Sequence, residues 1–290
     1  MPGPFDALTV PQLTADLRTH DYIAERGLAT ATLLALKLGK PLLLEGEVGV
    51  GKTELAKTLA RMLGRDLIRL QCYEGIDTNH ALYEWDYARQ MLHVRALSQE
   101  AITTDQHGLF SAEFLVERPL LQAVRAGDLC VLLIDEVDRA DDEFEAFLLE
   151  LLGDFQVTIP EIGTVSAPSR PIVILTSNRT RELHDALKRR CLYTWIGFPD
   201  PEREIDIVRT RLPGIGERLA ARVVAAVNRL RDMDLEKAPG VAETIDWAQS
   251  LAALDAADLT TEAALDTLGA VVKDRDDLDL VSRGIADVVG

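Results

Sequence analysis

Gly46-Glu47-Val48-Gly49-Val50-Gly51-Lys52-Thr53 fits the pattern G-x-x-x-x-G-K-[ST], with Glu54 directly after it. Glycines at this spacing let successive main-chain N–H groups turn to one side and cradle phosphate oxygens. A helix opening straight after the loop presents its positive end to the same anion. Lys52 is placed to reach the terminal phosphates, and the hydroxyl of Thr53 suits a magnesium ion. A second chemical group closes the run Val131–Glu136, where Asp135 and Glu136 stand side by side. One carboxylate at a strand end can hold the magnesium, and its neighbour can activate a water for attack on the last phosphate. The plainer alternative is a pair of solvated acids opening an acidic helix, since Asp138, Asp141, Asp142, Glu143 and Glu145 follow.

Two further groups carry a choice of roles. Ile174-Leu175-Thr176-Ser177-Asn178 ends an apolar run on polar residues. The Asn178 amide could hold the attacking water, or it could cap a helix over Arg179–Leu187. Lys188-Arg189-Arg190 is a basic triplet in an acidic chain. It is either a solvated helix end or a group directed at phosphate from a neighbouring subunit. The chain has no NKxD guanine reader, no LSGGQ-like segment and no second-substrate signature, which leaves water as the phosphoryl acceptor.

The elements that must position these groups follow from periodicity. Apolar spacing predicts a helix over Tyr22–Leu38, a buried strand over Pro41–Glu45, and a helix over Lys52–Leu63 capped by Gly64. Strands are expected over Asp66–Cys72, Leu129–Asp135 and Arg170–Asn178, and a hairpin over Val157–Val165 turning at Pro160 and Gly163. Phe144, Phe147, Leu148, Leu151 and Phe155 fall at helical spacing. Alternating strands and helices predict an α/β domain with a mostly parallel sheet between helices. Pro2, Pro4 and Pro11 mark residues 1–20 as a loose lead-in. Phe198-Pro199-Asp200-Pro201 separates this regime from residues 202–288, which read as short helices. The expected domains are thus 1–200 (α/β, nucleotide-binding) and 201–290 (a smaller, all-helical lid).

The 290 residues carry 31 basic and 48 acidic side chains, a net charge of −17. Such a balance disfavours a non-specific grip on nucleic acid, and residues 201–290 repeat it with 11 basic against 18 acidic groups. No apolar run is long enough to span a bilayer, and the first residues lack a basic n-region, so a soluble cytoplasmic protein is expected. Cys72, Cys130 and Cys191 form no CxxC pair, which fits a reducing compartment. The histidines (His20, His80, His93, His107, His184) have no metal-ligand spacing.

The order of phosphate loop, LLIDE, ILTSN, a paired-arginine helix end and a helical C-terminal region resembles the P-loop AAA+ ATPases. Asp135–Val165, with its acidic pair, Arg-Ala step, helix and hairpin, is similar to the MoxR branch. Ala81–Leu92 and Ala238–Leu251 resemble CoxD-type members, linked to maturation of molybdenum-containing carbon monoxide dehydrogenase. The resemblance implies Walker A at Lys52 and Thr53, Walker B at Asp135 and Glu136, sensor 1 at Asn178, and an arginine finger at Arg190 with Arg189 as the rival. It implies ATP and Mg²⁺ as cofactors, with Thr53 and Asp135 on the metal. It further implies a homo-oligomeric ring, a hexamer, with a von Willebrand factor A-domain partner and a client enzyme. Tyr22 and Ile23 stand where such proteins often build an adenine pocket, though packing at the helix start explains them equally. The stretch Gly240-Val241-Ala242-Glu243-Thr244 replaces a GASPR-like sensor 2 and lacks its arginine. Arg139 or a neighbour's residue could substitute. The competing readings are a DNA-handling AAA+ motor and a nucleotide-gated adaptor with little turnover.

Some features have plain readings. Leu212–Gly216 is a turn between helices rather than a DNA-binding hairpin. Trp85, with Tyr83 and Tyr87, is a core residue or part of a partner-contacting hairpin. Cys191 beside Arg190 is a buried structural thiol or one with a lowered pKa.

Overall fold

The structure is a computed structural model that describes residues 4–96 and 108–290. Pro2 and His107, used above, lie outside them. The chain opens with helices α1 (Val10–Thr19) and α2 (Arg26–Leu38), then strand β1 (Leu42–Gly46), α3 (Lys52–Leu63) and β2 (Asp66–Gln71). The short α4 (Thr78–Ala81) leads to β3 (Tyr83–Trp85) and α5 (Tyr87–Ala96). After the undescribed residues come β4 (Leu115–Glu117), α6 (Pro119–Ala126), β5 (Cys130–Asp135) and α7 (Asp142–Asp154). The hairpin β6 (Gln156–Ile159) and β7 (Gly163–Ser166) precedes β8 (Ile172–Ser177), α8 (Asp185–Arg190) and β9 (Leu192–Ile196). Helices α9 (Pro201–Arg211), α10 (Glu217–Arg231), α11 (Val241–Ala253), α12 (Thr261–Val271), α13 (Arg275–Arg283) and α14 (Ile285–Val289) complete the chain.

The main sheet has the order β2-β5-β8-β1-β9. The β2–β5, β5–β8 and β8–β1 pairings are parallel. Every residue of β1 and β5 is buried, as both faces of the sheet being covered requires. Their apolar runs therefore show no alternation. Register sets the chemistry: Gln71 lies opposite Asp135, and Glu45 opposite Ser177. Polar strand ends are thus gathered at one edge of the sheet, where ligands of open α/β folds collect.

The described residues fall into two compact units. The first takes Gly27–Glu45, Leu59–Thr194 and the residues up to Val10. Its core joins Leu132, Ile134 and Leu175 of the sheet to Leu121 of α6 and Phe144 and Leu148 of α7. Trp85 belongs to this core, 7% exposed, and meets Phe110 edge to face at 5.3 Å, while Tyr87 is exposed. The second unit takes Pro11–Arg26, Gly46–Thr58 and Trp195–Gly290. Its core is built from α10, α11 and α12, around Val223, Val227, Trp247, Leu251 and Leu268. The Trp247 indole N–H donates to Thr267 Oγ1 at 2.8 Å, satisfying the one polar atom of that ring.

Several expectations need correction. The lead-in is not loose throughout, because α1 occupies Val10–Thr19 and buries Leu13 and Leu17 completely. Pro11 stands in its first turn, where a missing N–H costs nothing. The next helix starts at Arg26, leaving Tyr22 and Ile23 in the preceding segment. Asn178 caps no helix: α8 begins at Asp185, with His184 at its N-cap.

Candidate active site

Six residues connect β1 to α3 through Gly46-Glu47-Val48-Gly49-Val50-Gly51, counting the strand's last residue. Gly46 is forced by close approach, since a Cβ there would lie 1.9 Å from the Ile196 carbonyl oxygen. Gly49 has φ +76, a conformation that side chains disfavour. Glu47 and Val48 are exposed, and Val50, Gly51 and Thr53 are half-buried. Lys52 is 6% exposed, and its ammonium donates to the carbonyls of Gly46 at 2.8 Å and Glu47 at 2.6 Å. The cation is thereby held inside the curl of the loop that reads as a phosphate cradle. Glu54 is engaged by Lys57 at 3.5 Å and Arg211 at 3.3 Å.

Tyr22 is buried, and its hydroxyl donates to the Gly51 carbonyl at 3.4 Å. Burial pushes its phenol well above the ordinary range, the nearby Arg203 opposing this and Glu54 adding to it. Ile23 beside it is half-buried. Arg203 forms an ion pair with Glu25 and keeps a buried Nε without a hydrogen-bond partner. Sequence reasoning passed over Arg203, which looks like one more charge on an exposed helix.

The acid pair occupies two different environments. Asp135, 3% exposed at the end of β5, is held on both oxygens. Thr176 Oγ1 donates to its Oδ1 at 2.6 Å, and Arg69 Nε and Nη2 donate to its Oδ2 at 3.0 and 2.6 Å. Glu136 turns the chain with φ 54 and ψ 50, a left-handed conformation costing about 1 kcal/mol for a non-glycine residue. Its N–H donates to Thr176 Oγ1 at 2.9 Å, and its carboxylate, 32% exposed, faces Arg139 at 3.1 Å. One acid is thus fixed and charge-compensated, while its neighbour presents a partly open carboxylate.

The end of β8 joins this arrangement. Ser177 Oγ donates to Glu45 Oε1 at 3.1 Å, and the Tyr193 hydroxyl donates to Glu45 Oε2 at 2.9 Å. Asn178, half-buried, follows directly. Asp138 accepts from the Thr180 N–H and hydroxyl, both at 2.8 Å. Arg189 and Arg190 are exposed on α8, and the Arg190 guanidinium donates to the Leu149 carbonyl. Thr176, Asp135 and Glu136 therefore converge, while Arg190 lies folded against α7. Cys191 is not activated: burial pushes its thiol up to about 12. Cys72 reaches about 12 as well, from burial first and the Asp135 charge second.

The donor chemistry suits magnesium, which takes one or two protein oxygens and completes its shell from phosphate and water. Thr53 and Asp135 supply that type of donor. Among the described residues no cluster of three or more His, Cys, Asp or Glu side chains forms a metal cage, and this ion does not need one. No helix among them is long and apolar enough to cross a membrane.

Residues 41–191, just over half of the chain, match the AAA domain of the dynein-related subfamily. The protein NorQ of Paracoccus denitrificans is 26% identical over 211 residues, covering 68% of this chain and 68% of NorQ. The gas vesicle ATPase GvpN of Haloferax mediterranei is 25% identical over 257 residues, covering 84% of this chain and 72% of GvpN. Among solved structures, a variant of RuvB from Thermotoga maritima aligns at a TM-score of 0.50 and 16% identity, covering 100% of this chain and 78% of that one. That likeness is one of fold: a parallel sheet flanked by helices.

Proposed function

From the premise that the chain belongs to the AAA domain family, dynein-related subfamily, we propose a Mg²⁺-dependent ATP hydrolase of the MoxR branch. It acts as a homo-oligomeric ring, a hexamer, that remodels or matures a client protein. Residues 1–200 are its nucleotide-binding domain and 201–290 its helical lid. The likeness to NorQ and to the ATPase GvpN supports the branch. The narrower reading is a CoxD-type role in maturing molybdenum-containing carbon monoxide dehydrogenase, with a von Willebrand factor A-domain partner; it rests on Ala81–Leu92 and Ala238–Leu251 alone.

The observation that carries the reading is the unequal treatment of two adjacent acids by one hydroxyl. Thr176 bonds the Asp135 carboxylate and the Glu136 N–H, orienting the first acid and anchoring the main chain of the second. In the proposed cycle the main chain of Gly46–Gly51 and the Lys52 ammonium hold the phosphates. Lys52 exchanges its two carbonyl partners for phosphate oxygens. Thr53 and Asp135 would hold a magnesium ion, which when bound would neutralise charge developing on the phosphates. Glu136 leaves Arg139 and takes a proton from the attacking water, whose position Asn178 sets. Arg190, or Arg189 next to it, serves the neighbouring subunit's phosphate. Tyr22 and Ile23 line the base.

The test is subunit complementation. Arg190→Ala assembles but hydrolyses ATP at least about 100-fold more slowly. Mixing it with an excess of Lys52→Ala, which retains the finger, restores part of the rate. Two inactive variants that stay inactive in every mixture would overturn an arginine acting between subunits.

A further inference from the structure

The helical segment that lacks an arginine still reaches the phosphate loop. The Ala242 N–H, in the first turn of α11, donates to the Gly49 carbonyl at 3.2 Å. This donor is one of the four that a helix start leaves without a partner inside the helix. Gly240 caps the helix and touches the loop so closely that a Cβ there would lie 2.6 Å from Val48 O and 2.8 Å from Gly49 Cα. From the other side, a Cβ on Gly49 would lie 3.1 Å from Gly240 Cα. Two backbones thus meet where neither can carry a side chain.

The approach is braced from behind. Glu243 Oε2 accepts the Gly240 N–H at 2.9 Å, and the Thr244 N–H donates to Gly240 O at 3.1 Å. The Thr244 hydroxyl donates to Glu204 Oε1 at 2.7 Å. Glu204 is fully buried and receives both terminal nitrogens of Arg231, at 2.7 and 2.8 Å. Arg231 Nε donates to Pro239 O at 2.8 Å, one residue before the contact. A buried, bidentate ion pair therefore fixes the segment on both flanks of Gly240.

We propose that Gly240–Ala242 positions the phosphate loop by main-chain contact, supplying nucleotide coupling at the place where an arginine is missing. This role rests on the reading of Gly46–Thr53 as the phosphate cradle. A trans peptide is planar, with its C=O and N–H pointing opposite ways. Holding the Gly49 carbonyl on Ala242 therefore turns the Val50 N–H to the other side of the loop, where it serves phosphate. The coupling is reciprocal, so phosphate on the loop must tighten the Gly240–Ala242 contact.

Gly240→Ala tests this directly. Gly240 has φ −82 and ψ −176, open to alanine, so the substitution adds a collision and no backbone strain. Ala242→Pro removes the donor itself, in a first turn that accepts proline. Both variants are expected to bind ADP about tenfold more weakly while adenosine, which has no phosphate, binds as in the wild type. Hydrogen exchange of the wild type adds a measurement that needs no variant: residues 241–247 should exchange more slowly with ADP than with adenosine. Folded variants that bind ADP as the wild type does would overturn the proposal, as would equal exchange with the two ligands. Lys52→Ala separates the two levels. If it keeps wild-type ADP affinity, the cradle reading itself fails; if it loses affinity while Gly240→Ala does not, the main-chain contact alone fails.

Discussion

The Thr176 hydroxyl donates to Asp135 Oδ1 at 2.6 Å and accepts the Glu136 N–H at 2.9 Å. One side chain from β8 thereby sets both acids at the end of β5. Thr176 is 1% exposed, so no water replaces it easily. Thr176→Val keeps the shape and leaves a buried carboxylate oxygen and a main-chain N–H short of a partner. The expected loss is about 1–3 kcal/mol of stability, read by urea denaturation, together with at least about tenfold in phosphate release. Thr176→Ser restores most of both. A valine variant as stable and as active as the wild type would show that the hydroxyl does not organise the acids.

The buried pair in the helical unit makes a second prediction. Arg231 is 7% exposed, Glu204 is fully buried, and the guanidinium also lies over Phe198 at 4.3 Å from the ring centre. Arg231→Met strands a buried carboxylate and should cost about 3–5 kcal/mol. Replacing both, as Arg231→Met with Glu204→Leu, removes the charge along with its partner and should recover much of that loss. Additive losses in the double variant would mean that the two groups act independently.

Much of the α/β part was legible because its signals are local. The phosphate loop is a contiguous motif, the buried strands are contiguous apolar runs, and α3 spans Lys52–Leu63 as the spacing predicts. What stayed hidden depends on residues far apart in the chain. Arg69 reads as an ordinary strand charge until β2 pairs with β5 and brings it to Asp135. β9 was missed because Tyr193 and Trp195 are exposed at the edge of the sheet, so the segment has no buried run. α1 was masked by a proline that starts helices as readily as it breaks them. The contact of Gly240 with Gly49 has no motif at all. The sequence shows a segment without an arginine, while the fold shows that its main chain meets Val48 and Gly49.

Thiol chemistry gives a third prediction. Burial raises Cys72 and Cys191 to about 12 from the ordinary 9.0, and Cys130 to about 11. In the folded chain these thiols keep their protons at pH values where the unfolded chain has lost them. Their contribution to stability is therefore complete below 9 and is lost as pH climbs toward the folded values. Iodoacetamide at pH 8 should label all three cysteines in urea, and none at a comparable rate in the native protein. Rapid native labelling of Cys191, which is half-buried, would contradict its protonated state. Melting temperature should fall between pH 9 and 11, and less steeply in a Cys72→Ala variant.

Whether Glu136 is the base for ATP hydrolysis by this chain is decided by one comparison. ATP binding and phosphate release are measured with Mg²⁺ on the wild type and on Glu136→Gln, which keeps the side-chain volume and removes the proton acceptor. Nucleotide affinity should stay within a few-fold of the wild type, and phosphate release should fall by about 100-fold or more. Undiminished release by Glu136→Gln would contradict that role, as would a wild-type protein that binds ATP and never turns it over.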